Sequence, residues 1–210
     1  MAGTEDERTT YRIKAGVPGP LVEAAIVDAE GNFLPADGES QGELVLRAPW
    51  LTEGYFNEPQ KGAELWAGGW LHTGDVATLD SMGVIDIRDR IKDVIKTGGE
   101  WVSSLDLEDL ISRHLAVREV AVVGIPDPQW GERPFALLVI REGHEIGAKE
   151  LKEHLKPFVE LGHLSKWAIP SQIALVTEIP KTSVGKLDKK RIRVDIIEWQ
   201  ANNSTFLSTL

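Results

Sequence analysis

The chain of 210 residues contains no cysteine. Disulfides, thiolate metal ligands and a cysteine nucleophile are therefore excluded, and a reducing compartment is weakly favoured. Basic residues are also in deficit. Twenty-three Lys and Arg stand against 33 Asp and Glu, a net charge of −10, which argues against nucleic acid as a partner of the whole surface because phosphates would be repelled. No run of about 18 apolar residues occurs, so no transmembrane segment is expected. The polar, acidic opening MAGTEDERTTYR lacks the apolar stretch of a secretory signal, and a cytoplasmic location is expected. The five histidines show no ligand spacing, so no metal site is expected.

What is present is an ordinary core-forming composition, 42% hydrophobic and 27% charged, in a chain long enough for one or two compact units. Residues 1–88 read as short strands over 23–28, 42–48, 71–79 and 84–88, separated by the turn signals AEG, PADG and DSMG. Helical periodicity then appears at Leu107, Leu110, Ile111 and Leu115 behind an S-x-x-D start at Ser103 and Asp106. Apolar strands follow over 117–125 and 135–140. A second helix carries Leu151, Leu155 and Phe158 and should be shortened or bent by Pro157. A strand over 172–179 and a last helix carrying Ile192, Ile196 and Trp199 complete an αββαβα pattern, ahead of a frayed polar tail over 201–210. The expected class is mixed α+β: a β-rich subdomain over 1–88, a hinge over 89–93 and a small second domain over 94–200.

Three stretches carry chemical potential. PKTSVGKLDKK, residues 180–190, resembles a phosphate loop but has Pro180 where the first glycine of that motif belongs and Leu187 where a Ser or Thr would hold magnesium. A lysine behind a glycine, Lys186, remains a suitable point charge for an anion, whereas Lys181, Lys189 and Lys190 read as solvated. GGWLHTGD, residues 68–75, sets Asp75 beside a glycine at an expected strand end, where a carboxylate suits a pair of vicinal hydroxyls; His72 there reads as structural. DRIKDVIKTGGEW, residues 89–101, alternates Arg90, Lys92 and Lys96 with Ile91, Val94 and Ile95 before Gly98-Gly99 allows close approach to a ligand. Each has a plain alternative, respectively a solvated basic loop, a self-capping turn and a charged linker.

Taken in order, GELVLRAPWLTEGYFNEP, GGWLHTGD, DRIKDVIKTGGEWVSSLDLED, GIPDPQWGERPFALLV, KWAIP and EIPKTSVGKLDKKRIR resemble the C-terminal third of the adenylate-forming acyl-CoA synthetases, with wording most similar to the medium- and long-chain fatty-acyl enzymes. The resemblance covers about residues 15–195. It implies a ligase that joins a fatty acid to ATP as an acyl-adenylate and passes the acyl group to coenzyme A, with Mg²⁺ in the full enzyme. Lys186 matches the adenylation lysine, Asp75 the ribose-binding aspartate, Arg90 a nucleotide-holding arginine and Lys92 the hinge. Lys96 belongs to the thioester step, and Gly98, Gly99, Glu100 and Trp101 lie on the pantetheine side. Tyr55 falls in a family motif without an assigned role. The phosphate loop, the magnesium glutamate and the large N-terminal domain with its acyl tunnel are not in these residues, so the chain alone is expected to be inactive, with that domain as a partner. Two alternatives are a non-catalytic docking module and the C-terminal part of a luciferase-like or peptide-synthetase adenylating enzyme.

Overall fold

A computed structural model of the chain describes residues 12–201 and 207–209. The opening residues 1–11, on which the absence of a signal was read, and residues 202–206 and 210 of the tail lie outside the described residues. The chain divides into two compact units, Met1–Lys92 and Asp93–Leu210.

The first unit is an antiparallel meander in chain order, β1 Glu23–Val27, β2 Gly42–Arg47, β3 Leu71–Leu79 and β4 Ile85–Arg90. Alternation directs Ile26, Leu44, Ala77, Leu79 and Ile85 into one core on which Leu34 and Leu46 pack. A short helix, α1 Pro59–Leu65, precedes β3 and was not expected. It starts with proline at its first position and buries none of its residues, so it has no apolar stripe from which periodicity could reveal it. The indole N–H of Trp66, just beyond it, donates to the Thr52 carbonyl at 2.9 Å.

The second unit opens with a hairpin, β5 Ile95–Thr97 and β6 Glu100–Val102, followed by α2 Ser104–Ser112, β7 Val117–Asp127, β8 Gly131–Ile140, α3 Ala148–Glu160, β9 Gln172–Leu175, α4 Lys189–Ala201 and β10 Leu207–Thr209. β7 and β8 pair antiparallel, β8 and β9 parallel, and β5 joins the start of β8 through Thr97 and Gly131. The mixed class is as expected. Two short strands precede the αββαβα pattern, and β10 pairs antiparallel with β9 where an unpaired tail was expected.

Both faces of this sheet are covered. Val120, Val122, Ala136 and Leu138 pack with Leu107, Leu110 and Ile111 of α2 and Leu151 and Leu155 of α3. Their neighbours Ala121, Val123, Phe135 and Leu137 point the other way, against Ile192 and Ile196 of α4. Double coverage explains why β7 and β8 read as continuous apolar runs rather than alternating ones.

Three local expectations are corrected. Leu115 does not extend the apolar face of α2, because the helix ends at Ser112, and Leu115 is 82% exposed. α3 runs through Pro157 to Glu160; the proline removes one N–H late in the helix, where the following Leu161 and Gly162 N–H groups still close on Pro157 and Val159. β9 stops at Leu175, four residues before the expected end.

Candidate active site

In the first unit the candidate residues Asp75 and Arg90 sit where β3 and β4 meet. Asp75 and Arg90 are register partners, and the Arg90 Nε donates to Asp75 Oδ1 at 2.7 Å. Asp75 does not end its strand as expected. It lies in the middle of β3, beside a register shift between Val76 and Ala77, an irregularity that re-aims side chains without ending the pairing.

Glu43 of β2 braces this bend. Its carboxylate accepts the Gly74 N–H at 3.0 Å and faces His72 Nδ1 at 2.8 Å, while His72 Nε2 lies 3.2 Å from the Ala67 carbonyl. The Thr73 hydroxyl accepts the Asp75 N–H at 3.1 Å and donates to the Leu44 carbonyl at 2.7 Å. His72 is thus occupied at both nitrogens, in keeping with a structural role. Glu43 went unnoticed in the sequence because its partners lie 29 to 31 residues away. Beside the pair, Glu43, Glu64, His72, Gly74, Arg90, Ile91 and Lys92 line a cavity of about 490 Å³.

The boundary between the units falls between Lys92 and Asp93. The Ile91 N–H donates to the Gly74 carbonyl at 2.9 Å in the first unit. In the second, Asp93 Oδ1 accepts from Arg193 at 3.1 Å. Lys92 lies between them.

The β5–β6 hairpin gathers five of the expected residues. Thr97 pairs with Glu100 across Gly98 and Gly99, whose φ angles of 60° and 84° are those of a two-residue hairpin turn. A side chain at Gly98 would be strained by that φ, while its Cβ would meet the Trp130 ring at an ordinary contact distance of 3.4 Å. Trp130 in turn stacks on Trp167 with centroids 4.4 Å apart. Lys96 and Trp101 are register partners, and the exposed Lys96 ammonium lies 5.3 Å from the Trp101 ring centre. The Lys96 N–H donates to Glu132 at 2.9 Å, tying the hairpin to β8.

Lys186 stands on the returning arm of a second turn, whose tip is Ser183 and Val184. Lys181 and Leu187 form its stem, the Thr182 N–H donates to the Lys186 carbonyl at 2.7 Å, and Gly185 takes a φ of 80°. Thr182 Oγ1 accepts the Lys186 N–H at 3.2 Å, which leaves the exposed Lys186 side chain projecting from a hydrogen-bonded backbone. The other lysines of the stretch are not equivalent, and the reading as solvated is corrected for Lys189 alone. Lys190 is exposed. Lys181 bonds Glu119 of β7 at 2.8 Å. Lys189 is 8% exposed, with Nζ 2.6 Å from Ser104 Oγ and 2.9 Å from Glu108 Oε1.

The Lys181 ammonium, chiefly by hydrogen bonding and secondarily by its charge, holds the Glu119 carboxyl below the ordinary glutamate value of 4.5. A carboxylate depressed in the folded state contributes stability above its unfolded value and loses it as pH falls through the folded one. Lys181→Ala is therefore expected to return the Glu119 titration, followed by carboxyl NMR, towards 4.5, and to remove part of the stability lost on acidification below that pH. An unmoved Glu119 titration would refute the pairing.

Among the described residues no three His, Cys, Asp or Glu converge as a metal site, and no helix is long and apolar enough to cross a membrane.

Residues 106–186 match the family described as the AMP-binding enzyme C-terminal domain. Over 191 residues the chain is 44% identical to a long-chain-fatty-acid–CoA ligase of Thermus thermophilus, covering 90% of this chain and 34% of the relative. It is 42% identical over 188 residues to a 3-methylmercaptopropionyl-CoA ligase of Ruegeria lacuscaerulensis, again covering 90% of this chain and 34% of the relative. Among solved structures, the o-succinylbenzoate CoA synthetase of Bacillus subtilis in complex with its acyl-adenylate intermediate superposes with a TM-score of 0.75 at 28% identity, over 90% of this chain and 37% of that one. The chain thus spans about a third of the length of the curated relatives it matches.

Proposed function

Because the chain belongs to the AMP-binding, adenylate-forming enzymes and carries their C-terminal domain, we propose that it supplies the mobile half of an AMP-forming fatty-acid–CoA ligase, which acts with a large N-terminal domain. In the first half-reaction a fatty-acid carboxylate oxygen attacks the α-phosphorus of ATP. The Pα–O bond to the acyl group forms, the bond to the β-phosphate breaks, and pyrophosphate leaves. In the second, the sulfur of coenzyme A attacks the acyl carbon, the C–S bond forms and AMP departs with the electrons of the broken C–O bond.

Residues 1–88 end the large domain, 89–93 form the hinge and 94–200 form the moving domain. Asp75 accepts hydrogen bonds from the ribose hydroxyls, held in place by Arg90, which also faces the nucleotide. Lys186 places a cation against the charge that builds up as carboxylate meets phosphate, a contribution worth most in the transition state. Rotation about Lys92 then withdraws Lys186 and brings the β5–β6 hairpin to the same centre, with Lys96, Gly98, Gly99, Glu100 and Trp101 beside the pantetheine arm.

The observation that supports this reading is the division of the chain into two compact units, whose boundary falls between Lys92 and Asp93, inside the stretch 89–93 assigned to the hinge. The fatty-acyl choice is supported by the Thermus relative. The Ruegeria relative, almost as similar and named for a shorter thioether acid, supports placing the choice of acyl group outside this span.

Purified alone, the chain is expected to show no fatty-acid-dependent ATP–pyrophosphate exchange with octanoate or palmitate. Adding the N-terminal large domain as a separate polypeptide is expected to restore it. Robust exchange by the chain alone, or none after complementation, would overturn the proposal.

A further inference from the structure

The most buried cation of the described chain is not one of the residues placed at the reaction centre. Lys189 stands in the first turn of α4, three residues after Lys186. A positive charge there opposes the helix dipole and has lost most of its hydration. Both penalties are met by one arrangement: Nζ donates to Ser104 Oγ at 2.6 Å and to Glu108 Oε1 at 2.9 Å, and the same Glu108 oxygen accepts the Val122 N–H at 2.8 Å. The exit of the Lys186 turn is therefore bolted to α2 and β7. Its entry is held separately by the Lys181–Glu119 pair. One turn further along α4, Arg193 reaches Asp93, so the helix that follows Lys186 is joined by charge both to the residue after Lys92 and to the start of α2, which directly follows β6.

We infer that Lys189 is a positioning residue for Lys186. Its buried ammonium fixes where the Lys186 turn leaves the domain and makes that turn and the β5–β6 hairpin parts of one rigid body, so that both faces move together when the domain turns. The catalytic consequence rests on the function proposed above; the mechanical one does not.

Lys189→Met alone leaves Glu108 buried without its cation and risks unfolding, so the decisive variant is Glu108→Gln combined with Lys189→Met, which keeps an acceptor for the Val122 N–H and removes both charges. Hydrogen exchange is compared between this variant and the wild-type chain, using peptides spanning 180–188 and 119–139. Exchange of the turn amides is expected to rise about tenfold or more while β7 and β8 keep their protection. Unchanged protection of the turn, or a uniform loss over both regions, would overturn the inference. In the chain complemented with its large domain, the double variant should lower the rate of adenylation about tenfold at unchanged KM for ATP, and leave thioester formation from supplied acyl-adenylate intact. Equal loss of both steps would also count against it. Absence of any exchange with the complemented wild-type chain would instead count against the proposed function, and the hydrogen-exchange comparison would still decide the role of Lys189.

Discussion

Replacing Lys186 with alanine is expected to lower the adenylation rate of the complemented enzyme by about 10²- to 10³-fold, the usual cost of deleting one group aimed at transition-state charge. The side chain is exposed in the chain alone, and its backbone turn is held by Thr182 rather than by its own ammonium. The substitution should therefore leave the fold and its melting temperature essentially unchanged. Thioester formation from a supplied acyl-adenylate should proceed at nearly the wild-type rate, because the proposed rotation withdraws Lys186 before that step. Lys186→Arg is expected to recover only part of the loss, since a planar fork does not reproduce a compact point charge. ATP–pyrophosphate exchange and single-turnover thioester formation measure the two steps separately. A similar fall in both would refute the assignment of Lys186 to the first.

The largest effect on stability is expected from Lys189→Met. Glu108 and Lys189 have side chains 11% and 9% exposed, and removing one partner of a buried pair leaves an uncompensated charge at a cost of about 3–5 kcal/mol. For a unit of this size that corresponds to a fall in melting temperature of roughly 12–20 °C. Adding Glu108→Gln to the same chain should restore most of it, because a neutral amide is far cheaper to bury than a carboxylate. Thermal unfolding followed by circular dichroism provides the test. A drop of only a degree or two for the single variant would show that the pair is better solvated than its geometry indicates, and no recovery in the double one would show that the loss does not come from the stranded carboxylate.

These two lysines stand three residues apart in one basic stretch, and their contrast shows what a linear reading can and cannot reach. The turn that carries Lys186 is legible from Gly185, a local pattern with a local cause. Lys189 reads as solvated because nothing within several residues distinguishes it from Lys190. Its partner Ser104 is 85 residues away in the chain, and burial is a property of the folded neighbourhood. Glu43 was missed for the same reason. Asp75 and Arg90 were each singled out, but the register of β3 and β4 was needed to make them one pair.

Element by element the boundary is similar. Alternation located β1 to β4, and a serine cap marked the start of α2, where Ser103 Oγ accepts the Asp106 N–H at 3.1 Å. The helix α1 has no buried face to betray it, and β5 and β6 are each three residues long, too short for periodicity to register. A Gly-Gly pair between residues able to form strands was the available signal for that hairpin.

By itself the sequence determined the mixed class and the order of the main elements, because periodicity, capping and turn chemistry act over distances of a few residues; the roles given to individual residues are what the resemblance to a family implies. Only the tertiary structure decided which charges are buried and which carboxylate braces the chain just before Asp75. Those facts depend on pairings between segments tens of residues apart, and desolvation assigns such pairings their energy only after the chain has closed around them.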